Sequence, residues 1–552
     1  MWTSTSDLAI GDRVPPELRA EWVRRGDCPG RDVHALFTDG VRRHPDRAAV
    51  VDADGVLDYA GLDREVRRVA AALTRAGLGE RDVVGIRLPN GRRMVVAELA
   101  VAAIGAVALP YPAGRGSRDT TSLLGRSRAT GAIFGARDDA ADAAALPHLR
   151  AVRTFGAGPG DWPELDAAPE APDWRAAPVD PEAPVRILVT SGSEAEPKMI
   201  AYSHNAMVGG RANYVRALHQ DGPMRALVLM PLASSYGSLA SHVGIAALGA
   251  TIVLPERFDP AAALALAARH RITHLFGVPT MLRRLAEHPD VPELPALRAV
   301  VSSSAPLPEV TARRCTERFG RPVISVYGSS DGINCHTAAT GPDPAAGTGR
   351  PDPAVAEIRV VDPAGRPVPP GEPGEIQARG PMTPLCYVAA PELDARYRTG
   401  DGWVRSGDRG LLDERGRLHV LGRIKQVVVR GGYNISPAEV EREIGAHPAV
   451  VEVACVPVPD EDLGERLCAC ISQVEGTPEL TLPELTAFLE SERGLERRKL
   501  PELLLLLPGL PVAPTGKVCR RTTAALAEQH TTEQGATAER TAEERTTAKG
   551  TT

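Results

Sequence analysis

Between Tyr59 and His270 the chain switches repeatedly between two hydrophobic periods. Tyr59–Ala76, YAGLDREVRRVAAALTRA, repeats its apolar residues at helical spacing, and Val83–Leu88 follows as a short apolar run of strand length. Met94–Ile104 returns to the helical pattern, and Ala106–Leu109 reads as a buried strand. The alternation resumes at Ala226–Met230, Ser241–Leu248, Thr251–Leu254 and Ala261–His270. Parallel neighbours in a sheet need a long crossover between them, usually a helix. This order therefore restricts the first half to layered α/β architecture with largely parallel sheets.

The 552 residues allow three or four such units, at about 100–200 residues each. Ala157–Pro184, rich in Pro and Ala, reads as a surface connection. From about Asp343 to Arg417 short strands alternate with Gly/Pro turns, which predicts a β-rich subdomain. After Gly422–Arg423 a block of about 100 residues holds VVVRGG, the helix-like PAEVEREIGAH, the strand-like VVEVACVPV and a second helix at Leu482–Arg493. This predicts a small α+β domain over 423–521, after a large domain over 1–422. From Thr522 on, Thr, Ala, Glu and Arg dominate and large apolar residues almost vanish. Such a segment buries too little surface to offset chain entropy, so 522–552 is expected to be disordered or a frayed helix.

Composition enters by exclusion. A formal net charge of −6 argues against a nucleic-acid binder. The first residues, MWTSTSDLAIGDRVPPEL, lack the basic region and apolar core of a secretory signal, so the cytoplasm is the expected compartment. The apolar stretches at Leu99–Leu109 and Val243–Leu254 fall short of the roughly 20 residues a membrane span needs. Cys468 and Cys470 share a strand face, but no partners at metal-ligand spacing accompany them. Of 64 Lys and Arg residues only five are lysine: Lys198, Lys425, Lys499, Lys517 and Lys549. An arginine-biased chain that retains a lysine retains a compact ammonium in place of a planar fork.

Five motifs carry candidate chemistry. In Val189–Lys198, VTSGSEAEPK, a strand runs into a Ser/Thr/Gly turn ending in Pro-Lys, where N–H groups, hydroxyls and an ammonium can surround a polyphosphate. It is not a Walker loop, since G-x-x-x-x-G-K-[ST] is absent. Tyr327–Asp331, YGSSD, offers an aromatic face for a base and a carboxylate for Mg²⁺. In Gly402–Asp408, GWVRSGD, a carboxylate can accept from sugar hydroxyls. Leu421–Glu441, LGRIKQVVVRGGYNISPAEVE, and Pro514–Arg520, PTGKVCR, complete the series.

In this order and spacing the five motifs resemble those of the adenylate-forming superfamily, which includes acyl-CoA synthetases, peptide-synthetase adenylation domains and luciferases. The resemblance runs from about Ala35 to Arg521. It implies a large N-terminal domain of two α/β subdomains plus a β-barrel-like one, and a small, mobile α+β C-terminal domain. It implies ATP and Mg²⁺, a small-molecule acid, and CoA as acceptor. For the nucleotide it points to Thr190, Ser191, Gly192, Ser193 and Lys198, to Ser303, Ser304, Ala305 and Pro306 at adenine, and to Tyr327, Gly328, Ser329 and Ser330. Asp331 corresponds to the magnesium carboxylate, Asp408 to the ribose carboxylate and Arg423 to a further nucleotide contact. Lys425 corresponds to the hinge, and Lys517 to the lysine that reaches in for adenylation. Gly431, Gly432 and Tyr433 correspond to the acceptor loop, which replaces Lys517 when the C-terminal domain rotates.

The departures bear on the substrate. Glu194, Ala195 and Glu196 stand where the family's phosphate loop has Thr, Gly and a variable residue. A carboxylate beside a triphosphate is repulsive, so these side chains point outward or the loop has a changed role. Ser303 and Ser304 replace two glycines, a mild change, and Asp331 is one methylene shorter than the usual Glu. In Pro231–Gly237, PLASSYG, Ala233 and Ser234 take the place of an aromatic-plus-His pair, and the Asp that grips an α-amino group is missing. Ser234, Ser235, Tyr236, Ser238, Asn334 and His336 then make an acid pocket too polar for a long acyl chain. The reading that leads is activation of a small aromatic acid as acyl-AMP and its transfer to CoA. Alongside it stand nitrite activation for diazotisation of an aryl amine, loading of a carrier protein, and a non-catalytic adenylate-binding protein.

Overall fold

The structure is a computed structural model. It describes residues 1–113, 116–135, 146–156, 163–190, 197–218, 222–338, 347–424, 427–430, 433–460, 462–513 and 516–532. Ser191, Gly192, Ser193, Lys425, Gly431 and Gly432 lie outside the described residues, as do Glu194, Ala195 and Glu196. The chain divides into two compact units. The first takes Met1–Pro306, Arg314–Ser406 and Leu411–His419; the second takes Leu307–Arg313, Gly407–Gly410 and the described residues from Val420 on.

The first unit realises the alternation read from the sequence. Tyr59–Arg75 is a helix whose start is capped by Asp58, which accepts the Gly61 N–H at 2.6 Å. The strand Val83–Arg87, the helix Arg92–Ala103 and the strand Val107–Pro110 follow. Every residue from Met94 to Ala103 is buried, which explains why that helix carries almost no polar face. A seven-stranded sheet runs in the order Cys386–Tyr387, Met199–Ser203, Pro184–Val189, Val107–Pro110, Val83–Arg87, Gly131–Gly135, Ala151–Phe155. Its pairs are parallel except at the two that involve Met199–Ser203. An eight-stranded sheet runs Asn334–His336, Val323–Gly328, Ala299–Ser303, His274–Gly277, Arg225–Val228, Thr251–Val253, Ala48–Asp52, Gly55–Asp58. There only the two edge pairs are antiparallel. The β-rich segment supplies a four-stranded sheet of Glu357–Val361, Gly374–Arg379, Val404–Leu412 and Leu418–Arg423.

In the second unit a five-stranded sheet is built around Gly464–Gln473, which pairs with Val428–Arg430, Val450–Asp460 and Leu503–Leu506. Helices Pro437–Ile444 and Leu482–Ser491 bury Val440, Ile444, Leu485 and Leu489 in a core with Leu467, Ala469 and Ile471. A second core includes Val456, Cys468, Cys470, Leu505 and Leu510. Residues 520–532 are helical, and Ala527 is 0% exposed in that core. A few small apolar side chains at helical spacing suffice to close the end of an existing core. The remainder of the tail lies outside the described residues.

Candidate active site

The first group of site residues hangs on the ends of neighbouring strands. Pro184–Val189 and Met199–Ser203 are antiparallel partners, and the phosphate loop connects them. Its two ends are tied together: the Thr190 N–H donates to the Lys198 carbonyl at 3.0 Å, and the Lys198 N–H donates to Thr190 Oγ1 at 3.3 Å. The Lys198 ammonium stands 4.4 Å from the ring centre of Tyr397. This geometry is that of a cation–π contact.

The YGSSD motif occupies the turn where Val323–Gly328 reverses into Asn334–His336. The Ser329 N–H donates to the Ile333 carbonyl at 3.1 Å, and Ser329 Oγ accepts the Asp331 N–H at 3.1 Å. Two tyrosines that the sequence reading passed over meet this turn. Tyr202 donates its hydroxyl to the Ser330 carbonyl at 2.8 Å, and Tyr387 donates its hydroxyl to Asp331 Oδ1. Burial, followed by the Asp331 charge, holds the Tyr387 hydroxyl in its protonated, donating form. Tyr327 packs beside Ile333, Ala356 and Ala378 and remains partly exposed. Gly328 is exposed.

At the adenine segment, Ser303 spends its hydroxyl on the Val326 carbonyl at 2.9 Å. Ser304 has φ of +79°, a left-handed conformation that disfavours a β-carbon. The replacement of glycine there is thus a strained one rather than a mild one. Ala305 and Pro306 are exposed.

The Pro231–Ser238 segment is held from several sides. Asn90 donates to the Met230 carbonyl at 3.1 Å and accepts the Leu232 N–H at 2.9 Å. Arg186, fully buried and 2.6 Å from Glu98, donates to the Leu232 carbonyl at 2.9 Å. Arg211 donates to the Ser235 carbonyl at 2.6 Å and to Ser238 Oγ at 2.9 Å. Within the segment, Ser234 Oγ accepts the Gly237 N–H at 2.9 Å and Ser238 donates to the Ser235 carbonyl at 2.6 Å. The Tyr236 hydroxyl donates to the Val301 carbonyl at 3.1 Å. Ser234, Tyr236 and Ser238 therefore shape the segment with the same hydroxyls the sequence offered to a substrate. Asn334 and His336 are buried on the edge strand, and Asn334 Oδ1 has no partner among the described residues.

The second unit holds the other candidates. Asp408 is buried and receives Arg423 Nε at 2.8 Å. Lys517 follows Gly516 in a turn closed by the Ala513 N–H donating to the Lys517 carbonyl at 2.7 Å. Burial first, and the Arg423 charge second, lower the Lys517 pKa from its ordinary 10.5. Tyr433 donates its hydroxyl to Glu496 at 3.0 Å. Lys499, which has no role in the motifs, pairs with Glu439 at 2.8 Å. Cys468 and Cys470 lie with their sulfurs 3.9 Å apart in a buried site. No group of three or more His, Cys, Asp or Glu is arranged for a metal among the described residues. Mg²⁺ is usually held by one or two carboxylates together with substrate phosphates. Asp331 is a hard oxygen donor, and among the described residues only Tyr387 meets its carboxylate.

Known proteins share this sequence pattern and this fold. The AMP-binding enzyme profile matches residues 37–388, and the profile of the AMP-binding enzyme C-terminal domain matches 439–517. A salicyl-AMP ligase / salicyl-S-ArCP synthetase of Mycobacterium tuberculosis is 32% identical over 93% of this chain and 94% of its own length. A feruloyl-CoA synthase of an Amycolatopsis species is 32% identical over 87% of this chain and 96% of its own. The amide bond synthetase McbA from Marinactinospora thermotolerans superposes with a TM-score of 0.80 at 29% identity, covering 90% of this chain and 99% of its own. Among the described residues no helix is long and apolar enough to cross a membrane. The chain belongs to the adenylate-forming AMP-binding enzymes and is an AMP-forming acid ligase.

Proposed function

We propose that the enzyme activates a small aromatic carboxylic acid as its acyl-AMP, with release of pyrophosphate, and passes the acyl group to the thiol of CoA. The observation that carries the reading is the likeness, over about nine-tenths of the chain, to relatives whose names carry aryl acids. The relatives named for salicyl and feruloyl transfer point to the same class of acid.

In the first step a carboxylate oxygen attacks the α-phosphorus of ATP, and the bond to the leaving pyrophosphate breaks. Thr190 and Lys198 would meet the phosphates from the closed ends of their loop. Asp408, held by Arg423, would accept from the ribose hydroxyls. Lys517 supplies the cation for charge that builds on the phosphoryl oxygens. Mg²⁺ on Asp331 would neutralise phosphate charge when bound. In the second step the thiol sulfur attacks the acyl carbon, AMP leaves, and the thiol proton passes to solvent. The Gly431–Gly432–Tyr433 loop is the proposed acceptor loop, with Lys425 at the hinge. A carrier-protein thiol is the second acceptor to test, because the salicyl relative is also named an S-ArCP synthetase.

The test measures pyrophosphate release with ATP across a panel of aryl acids, then adds CoA or a phosphopantetheinylated carrier protein. Acid-dependent release and an acyl thioester identified by mass are the expected result. A lack of release with every aryl acid would overturn the proposal, and release that requires nitrite would replace it with diazotisation.

A further inference from the structure

The turn that carries Asp331 is held by two tyrosines from neighbouring strands. Tyr202 lies on Met199–Ser203 and Tyr387 on Cys386–Tyr387, paired antiparallel with Ile200 opposite Tyr387. Residues directly opposite share a face, and so do residues two apart, so Tyr202 and Tyr387 stand on the same face of the sheet. Their hydroxyls reach consecutive residues, Tyr202 the Ser330 carbonyl and Tyr387 the Asp331 carboxylate.

Tyr387 is itself firmly placed. It is 3% exposed, and its N–H donates to Asp394 Oδ1 at 3.0 Å. The Arg398 guanidinium carbon lies 5.4 Å from its ring centre, and the Tyr397 ring lies 5.9 Å away. A hydroxyl on so constrained a ring fixes the rotation of the carboxylate it meets. It takes one oxygen, and no described residue takes the other.

We infer that Tyr387 is a positioning residue for the divalent cation of the reaction, acting through Asp331. The inference rests on the nucleotide half of the proposed function. Asp331 is too short to tolerate much rotation, and a donor that holds a metal-binding group in orientation typically contributes about 10–100-fold in metal affinity. Tyr202 fixes the backbone of the same turn, so the two hydroxyls set the position and the rotation of the carboxylate separately.

The experiment compares the full chain with Tyr387→Phe, which keeps the ring and loses only the hydroxyl. Binding of Mn²⁺ in the presence of a non-cleavable ATP analogue is read by electron paramagnetic resonance. The expected result is a Mn²⁺ dissociation constant raised about 10–100-fold, with metal-free binding of the analogue unchanged. In an Asp331→Asn background the same substitution should add less than about twofold, because the two residues act as one unit. Unchanged or tighter Mn²⁺ binding, or an equal loss in the Asn background, overturns the inference. A measurement on the unsubstituted sequence guards against a variant that does not fold. With fluorotyrosine incorporated, Mg²⁺ and the analogue should shift the Tyr387 resonance; no shift in any of the nine tyrosine signals overturns the inference. If the wild type binds Mn²⁺ with the analogue but releases pyrophosphate with no acid, the proposed function fails and the role of Tyr387 stands.

Discussion

Ser304 pays a conformational cost that a glycine would avoid. Its φ of +79° brings a β-carbon into conflict with its own backbone, at about 1–2 kcal/mol. Ser304→Gly should therefore raise stability by about 1 kcal/mol, since glycine loses part of the gain as extra unfolded-state entropy. Chemical denaturation monitored by tryptophan fluorescence checks this; a lower midpoint would show that the serine side chain stabilises the turn. At this scale the sequence sets the motif residues side by side and leaves the side chains that brace them unmarked. Tyr327, Ser330 and Asp331 stand together in five letters, whereas Tyr202 lies far along the chain from Tyr387 and Tyr397. Nothing in LCYVAAP marks Tyr387 as a neighbour of Asp331. Only the pairing of its strand with Met199–Ser203 brings it there.

Elements defined by hydrophobic period were legible because burial enforces the period. The Tyr59–Arg75 helix and the Val83–Arg87 strand match their expected spans to within a residue. The Pro231–Ser238 segment was legible as polar but not as a shape. Its serines looked like substrate contacts, and the structure shows Ser234 and Ser238 bonded within the segment itself. Gly237 permits that shape, since a β-carbon there would lie 2.0 Å from the Pro231 carbonyl oxygen. Gly237→Ala should destabilise the first unit by about 1–3 kcal/mol through overpacking. It should also raise the KM for the acid more than the KM for ATP. Steady-state kinetics with each substrate varied separately would detect this, and equal changes in both would remove the segment from the proposed acid pocket. The helix at 520–532 shows the converse limit: its composition is that of a tail, and only the core it caps makes it ordered.

For the whole molecule, the two proposed half-reactions would draw on different parts of the chain. Lys517 belongs to the second unit and is proposed for the first half-reaction only. Lys517→Ala should lower acid-dependent pyrophosphate release by at least about 100-fold, the usual scale for losing one group that stabilises transition-state charge. A preformed acyl-adenylate should still react with CoA at close to the wild-type rate. Rapid-quench assays of each half-reaction separate the two, and equal losses in both would remove Lys517 from its assigned role. The depressed pKa of Lys517 gives the sign of the pH effect. The amine is cationic below its pKa, so adenylation should fail as pH rises, before the ordinary lysine value of 10.5 is reached. Lys499 moves the other way: its hydrogen bond to Glu439 raises its pKa, so that ammonium persists. With five lysines among 64 cationic side chains, nearly all the positive charge sits on guanidinium groups that do not titrate. On the alkaline side only the five lysines among these cationic side chains can lose a proton, so positive charge lost from the site as pH rises is lost from an amine and never from a guanidinium.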